Sequence, residues 1–168
     1  MLIETPRLRL RPFTPADLDA FTALAADPEF QAWSLTGPLD ADQAQRKLEA
    51  LIALYETQGF SKWAIEMRQA PRIIGYCGLG LEEIEGRSLP EFGYRLAPAS
   101  RGQGLATEAA RAAIEDAFDR LGMSEIHAFA EPGNAASLRV LEKLGLSYLR
   151  DITLHGRAWR LYRLGRPA

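Results

Sequence analysis

Polar and apolar positions divide this chain into short runs of period two and longer runs with spacings of three and four. Leu8 and Leu10 alternate with Arg7, Arg9 and Arg11, which predicts a strand over Leu8–Arg11 with the arginines on its solvent face. Thr14-Pro15-Ala16-Asp17 then supplies an N-cap hydroxyl, a proline at the first helical position and an acid in the first turn. Leu18, Phe21, Leu24 and Ala25 draw the stripe of that helix, and Asp27-Pro28 closes it. A loop through Trp33 and Gly37-Pro38 leads to a second cap, Asp40, and to the stripe Ala44, Leu48, Leu51, Ile52 and Tyr55, ending before Gly59. Three strand-like runs follow, 60–67, 72–82 and 89–97, and the break at Ala70-Pro71 predicts an antiparallel hairpin between the first two.

The order then changes to strand, loop, helix, strand. Glu91-Phe92-Gly93-Tyr94-Arg95-Leu96 has period two, and Ala106, Ala110, Ala113, Ile114, Ala117, Phe118 and Leu121 recur on one helix face. Residues 124–130 read as the second strand of a crossover unit. A further helix from Asn134 to Gly145 turns Leu138, Leu141 and Leu144 inward, and strands over 146–154 and 158–164 meet at the turn His155-Gly156-Arg157. The sum is an α+β architecture: one mixed, mostly antiparallel sheet flanked by helices, with a single βαβ crossover. No repeat, low-complexity tract or linker interrupts it, so residues 1–168 are expected to form one domain.

Composition narrows the function by exclusion. An apolar fraction of 47% with 25% charged residues rules out a disordered or fibrous chain, and a net charge of −2 lacks the basic field of a duplex-binding protein. No nucleic-acid partner is therefore expected. No apolar run approaches the ~18 residues of a membrane span and no export-type segment opens the sequence, so neither a membrane partner nor secretion is expected, and the cytoplasm is the expected compartment. Cys77 is the only cysteine, which excludes an intramolecular disulfide and a zinc site of paired cysteines. In its strand-like run it reads as a buried thiol, and a reducing compartment fits. His127, inside a strand, and His155, in a turn, give a hydrolytic triad little to work with, and no metal is expected.

The stretch that carries chemistry is the glycine-rich loop Arg101, Gly102, Gln103, Gly104, Leu105, Ala106, continuing into Thr107. A helix N-terminus presents N–H groups with no intrahelical partner, and glycines let phosphate oxygens approach them. Three readings compete. Against the dinucleotide fingerprint stand Thr107 at the third glycine position and an acid, Glu131, placed too far along. A P-loop fails because no Gly-Lys-Ser or Gly-Lys-Thr follows. A second glycine cluster, 75–80, has no helix after it and reads as a relaxed strand or a bulge.

In the third reading, Arg101-Gly102-Gln103-Gly104-Leu105-Ala106 resembles the pyrophosphate-binding signature of the Gcn5-related N-acetyltransferases. Thr5-Pro6-Arg7-Leu8-Arg9-Leu10-Arg11-Pro12 with Asp17, Trp63-Ala64-Ile65, Ile74-Gly75, Glu91 to Leu96, Asn134-Ala135-Ala136-Ser137 and Glu142-Lys143-Leu144-Gly145 are similar to the branch containing the ribosomal-protein alanine acetyltransferases. The resemblance implies the acyl-coenzyme A acyltransferase fold and acetyl-coenzyme A as co-substrate, held by Arg101 to Thr107, by backbone groups of Tyr94, Arg95 and Leu96, and by Asn134. It implies an amine acceptor, a protein N-terminus or a small molecule, with a homodimer possible.

Acetyl transfer needs a neutral amine, a polarised carbonyl and a proton for the departing thiolate. Glu91 is the first candidate for the base, against the plainer role of a cross-strand surface charge, and Glu131 is the second. Asn134 is a good N-cap, and the resemblance adds contact with the cofactor arm. The family's commoner general-acid tyrosine falls at Leu141, which has no proton to give; the branch places Ser137 at the sulfur instead. Tyr94 reads as a core-facing aromatic ahead of a catalytic role, and Trp33 as either a packing residue or an acceptor contact. A non-catalytic acyl-coenzyme A sensor and a dinucleotide-dependent oxidoreductase remain as alternatives.

Overall fold

Leu8 and Leu10 are fully buried and Arg9 faces out, as a half-buried strand requires. The computed structural model describes residues 2–167. In chain order the elements are β1 (Ile3–Glu4), β2 (Leu8–Arg11), a 3-10 turn (Pro15–Asp17), α1 (Leu18–Ala26), α2 (Ala41–Thr57), β3 (Lys62–Met67), β4 (Ile73–Ile84), β5 (Arg87–Leu96), a second 3-10 turn (Pro98–Ser100), α3 (Leu105–Asp119), β6 (Glu125–Ala130), α4 (Ala135–Lys143), β7 (Ser147–Leu154) and β8 (Arg157–Gly165). They form one eight-stranded sheet in the order β1-β2-β3-β4-β5-β6-β8-β7. Among the described residues β5–β6 is the parallel pair, and α3 is its crossover.

Neighbouring residues of each strand face opposite ways, so the sheet separates two cores. On one face Leu8, Leu10, Trp63, Cys77, Phe92, Leu96 and Ile126 pack against Leu105, Ala109, Ala113 and Ala117 of α3 and Leu138 and Leu141 of α4. On the other, Ala64 and Tyr76 join Phe13, Phe21, Phe30 and Leu48 beneath α1 and α2. The outer part of the β4–β5 hairpin lies against the β7–β8 hairpin through Ile84, Ile152, Trp159 and Leu161. Two of the three expected caps open α-helices: the Asp40 carboxylate accepts from the Gln43 N–H at 2.8 Å, and the Asn134 side chain accepts from the Ser137 N–H at 3.2 Å, whereas Thr14 precedes the 3-10 turn and α1 begins only at Leu18.

Three sequence expectations need correction. Two-residue β1 was not foreseen. The strand runs 72–82 and 89–97 are longer and joined through Glu85-Gly86, both at positive φ, in a tight turn pairing Ile84 with Arg87. Nor do all three arginines of the first strand lie idle on a solvent face. The Arg11 guanidinium donates to Asp17 at 2.7 and 2.8 Å and to Glu66 at 2.6 Å. Burial pushes the Asp17 carboxyl up, but Arg11 and the Thr14 N–H and hydroxyl outweigh it and hold its pKa below the ordinary value.

Candidate active site

The glycine loop sits where its pattern placed it. Gly102 and Gly104 have φ of 73° and 76°, and Gly104 is the N-cap of α3, so the chain turns sharply into the helix with its rim bare. A Cβ built on Gly102 meets nothing within 4 Å, and one on Gly104 meets Arg7 Nη2 at 3.6 Å. Arg7 is the residue that sequence reasoning missed here. Its Nη1 donates to the Gln103 carbonyl at 2.9 Å and its Nε to Glu108 at 2.6 Å, while Glu108 also accepts from the Thr5 hydroxyl at 2.6 Å and the Arg7 N–H at 2.9 Å. Burial raises the Glu108 carboxyl, and these three donors bring it below its usual value, so it stays an anion in the first turn of α3. Arg101 turns its side chain away from the loop rim, to the Leu96 carbonyl at 3.1 Å and the Glu29 carbonyl at 2.8 Å. The Gln103 amide is spent on the Ala99 carbonyl at 3.1 Å.

Beside the loop the sheet opens. The parallel ladder of β5 and β6 contains one residue pair, Glu91 with His127, and beyond it the two strands continue toward their C-terminal ends paired with β4 and β8 but not with each other. Backbone groups of Phe92 to Leu96 that face β6 are therefore free of a strand ladder, at the carboxyl end of a crossover where ligands of open α/β sheets bind. Leu105 and α3 lie against one face of this opening, with α4 beyond it.

The two faces of the opening carry different chemistry. On the α4 side, Tyr94 packs on the main core, stacks on Phe92 with ring centroids 6.3 Å apart, and directs its hydroxyl to Ser137 Oγ at 3.5 Å. Burial raises the Tyr94 pKa, so the phenol keeps its proton. Leu141, where a tyrosine stands in the commoner pattern, is 2% exposed and purely core. On the other side Glu91, Gly93 and Arg95 project together. Glu91 Oε2 accepts from Lys62 Nζ at 2.9 Å, and Lys62 also donates to the Gly78 carbonyl at 2.9 Å. A Cβ on Gly93 would lie 2.8 Å from Glu91 Oε1, so the absent side chain is what clears that oxygen. Glu131, the second candidate, is ion-paired with Arg157, which also donates to the Ser34 carbonyl at 3.0 Å.

The loop between α1 and α2 roofs this end of the sheet. Arg101 donates to the Glu29 carbonyl, Arg95 to Gln31 Oε1 and Arg157 to the Ser34 carbonyl, and Trp33 lies 3.7 Å from the Cβ position of Gly133. Trp33 stays 43% exposed, so it is a contact surface more than a core residue. A separate groove of about 830 Å³ runs from Gly104 and Thr107 along the outer side of α3 past Arg111.

His127 was set aside on sequence, yet it is registered beside Glu91, is 4% exposed, and leaves its Nδ1 without a hydrogen-bond partner. Burial, opposed by Glu125 and assisted by Arg163, lowers its pKa. Below the ordinary histidine value of about 6.5 the unfolded chain takes up a proton that the folded one refuses. Its contribution to stability is thus complete above that pH and lost as pH falls toward the lowered value. Urea unfolding from pH 7 to 5 should show this loss, and His127→Gln should flatten it.

Residues 7–147 match the family model described as an acetyltransferase (GNAT) domain. The chain belongs to this family and is an acetyltransferase. Two relatives from Bacillus subtilis (strain 168) are each 32% identical: the uncharacterized protein YkkB, over 89% of this chain and 87% of its own, and the uncharacterized N-acetyltransferase YoaA, over 86% and 81%. Among solved structures, the acetyltransferase from Agrobacterium tumefaciens str. C58 superposes with a TM-score of 0.83 at 25% identity, covering 99% of this chain and 95% of the other. The same fold is found in RimL, a ribosomal L7/L12 alpha-N-protein acetyltransferase in complex with coenzyme A, at a TM-score of 0.81 and 16% identity over 98% of each chain. In the described residues, no helix is long and apolar enough to cross a membrane and no cluster of His, Cys, Asp and Glu is arranged to hold a metal.

Proposed function

We propose that this acetyltransferase moves the acetyl group of acetyl-coenzyme A directly onto a primary amine, a protein N-terminal α-amine or a small-molecule amine, within a single cytoplasmic domain. The observation that carries this reading is the unpaired β5–β6 opening, which leads from the Gly102–Gly104 rim to the Tyr94–Ser137 hydroxyls on one face and Glu91 on the other. The rim suits a pyrophosphate: it is open, its helix N–H groups are unpaired, and Arg7 adds a cation. The coenzyme supplies the thioester, and the chain supplies position and protons.

Glu91, ion-paired with Lys62, is placed to take a proton from the incoming ammonium or amine, directly or through water. Free N–H groups of β5 near Tyr94 to Leu96 are donors for the acetyl oxygen. As the amine nitrogen bonds to the carbonyl carbon and the carbon–sulfur bond breaks, Ser137 donates its proton to the departing sulfur and regains one from solvent, while the Tyr94 hydroxyl, donating to Ser137 Oγ, holds it in place. Asn134 caps α4 and so fixes Ser137 in place.

Thiol release with an amine panel tests the reading. Ser137→Ala should lower kcat by about 10-fold or more with little change in KM for acetyl-coenzyme A. Glu91→Gln should lower kcat/KM for the amine, by less at high pH where the amine is already neutral. Unaltered rates would remove either residue from the mechanism. If no amine of the panel elicits thiol release, the non-catalytic sensor reading is favoured.

A further inference from the structure

The face of the opening that carries Glu91 also carries positive charge with no acidic partner. Arg95 leaves β5 on that face, four residues beyond Glu91, and its Cζ lies 6.0 Å from the ring centres of both Phe30 and Tyr76. Its Nη1 donates to Gln31 Oε1, and Gln31 is 2% exposed with its Nε2 committed to the Ala25 carbonyl at 3.3 Å. From α2, the Lys47 Nζ stands 5.8 Å from the same Tyr76 ring.

Among the described residues neither Arg95 nor Lys47 has a carboxylate within 4.0 Å, although Lys62, Arg157 and Arg7 around the same site each have one. Cation–π contact returns only about 0.5–1 kcal/mol each at exposed sites, and a partly desolvated charge is ordinarily paired. A guanidinium with its Nε and Nη2 uncommitted presents the planar fork that suits a carboxylate.

We propose that Arg95 and Lys47 hold a carboxylate of the acceptor, so that the preferred acceptors are amines carrying a nearby carboxylate. This rests on the acetyl-transfer reading, since it takes Glu91 as the place of the amine. Glu91 and Arg95 project from the same face of β5, separated by four strand steps, roughly 13 Å between Cα atoms, a span that the first residues of a peptide or an extended amino acid would bridge. The carboxylate could come from the free α-carboxyl of an amino acid or from an acidic side chain at a peptide N-terminus.

Two matched pairs of acceptors separate these sources: an amino acid against its carboxamide, and C-terminally amidated peptides beginning with Asp against Asn. For wild type, thiol release should give a kcat/KM ratio of about 10 or more in favour of the carboxylate in one pair, in line with one charge-assisted hydrogen bond. Arg95→Gln should bring the ratio to near 1. Lys47→Gln, which leaves the α1–α2 loop untouched, should lower the ratio while sparing turnover of the neutral member. Equal kcat/KM within both pairs for wild type, or variants that lower both members alike, would overturn the proposal and leave Arg95 as a loop clamp. Absence of transfer to any acceptor would count against acetyl transfer itself. In that event thermal stabilisation by the N-acetylated acid but not its carboxamide, lost in Arg95→Gln, still supports the anion site, and equal shifts refute it.

Discussion

Gly104→Val is expected to cost coenzyme A affinity by about 100-fold or more, some 2.7 kcal/mol, while the protein still folds. Gly104 holds φ of 76° as the N-cap of α3. A β-branched residue there carries left-handed backbone strain of about 1–2 kcal/mol, which for this size lowers Tm by roughly 2–8 °C. The first carbon fits, since its nearest neighbour is Arg7 Nη2 at 3.6 Å. The two methyls beyond it would crowd the rim proposed for the pyrophosphate. Calorimetric titration with coenzyme A, set beside a melting curve of the apo protein, separates the two effects. Undiminished affinity in a folded variant would mean that the loop is not the cradle.

The largest effect on folding is expected from Gly75→Ala. A methyl on Gly75 would lie 2.0 Å from the Arg95 carbonyl oxygen and 2.9 Å from the Leu96 Cα, both backbone atoms that no rotamer change can move. Gly75 stands where β4 shifts register against β3, between the pairs Ile65–Gly75 and Glu66–Ile73, and opposite Leu96 at the end of β5. Relieving the clash therefore means separating β4 from β5 at the level of the opening. The cost should reach or pass the upper end of the ~1–3 kcal/mol usual for overpacking, a Tm loss of roughly 6–12 °C at 3 kcal/mol. Whatever remains folded should also bind coenzyme A less tightly, because the end of β5 is displaced. Urea denaturation reads the first effect, and a loss under 1 kcal/mol would show that the strands yield more readily than their contacts imply.

Much of the fold was legible because one face of nearly every element is buried. Leu8 and Leu10, Ala44 and Leu48, and Ala109 and Ala113 are all at or below 2% exposure, and such regular burial imprints a period on the sequence. The Asp40 and Asn134 caps were legible because capping is local. Two-residue β1 has no period to read, and the Glu85-Gly86 turn carries glutamate where turn chemistry favours Asn or Asp.

Within the candidate site, the glycine loop is legible because its residues are contiguous. The contacts around it join distant positions: Arg7 and Gln103 are 96 residues apart, Lys62 and Glu91 29, and Arg95 and Gln31 64. Alternation alone assigned Arg7 to the solvent and His127 to an inert strand position. The sheet order brings the first to the loop and the second beside Glu91.

The central claim is that coenzyme A binds across the Gly102–Gly104 loop and the β5–β6 opening. A thermal melt with acetyl-coenzyme A, coenzyme A and NAD, each at about 100 times a plausible dissociation constant, tests it most directly. Specific binding at that excess adds about 2.7 kcal/mol. The account predicts a rise in Tm of roughly 5–10 °C with both coenzyme A species and none with NAD. An unchanged Tm with coenzyme A, or an equal rise with NAD, would contradict it.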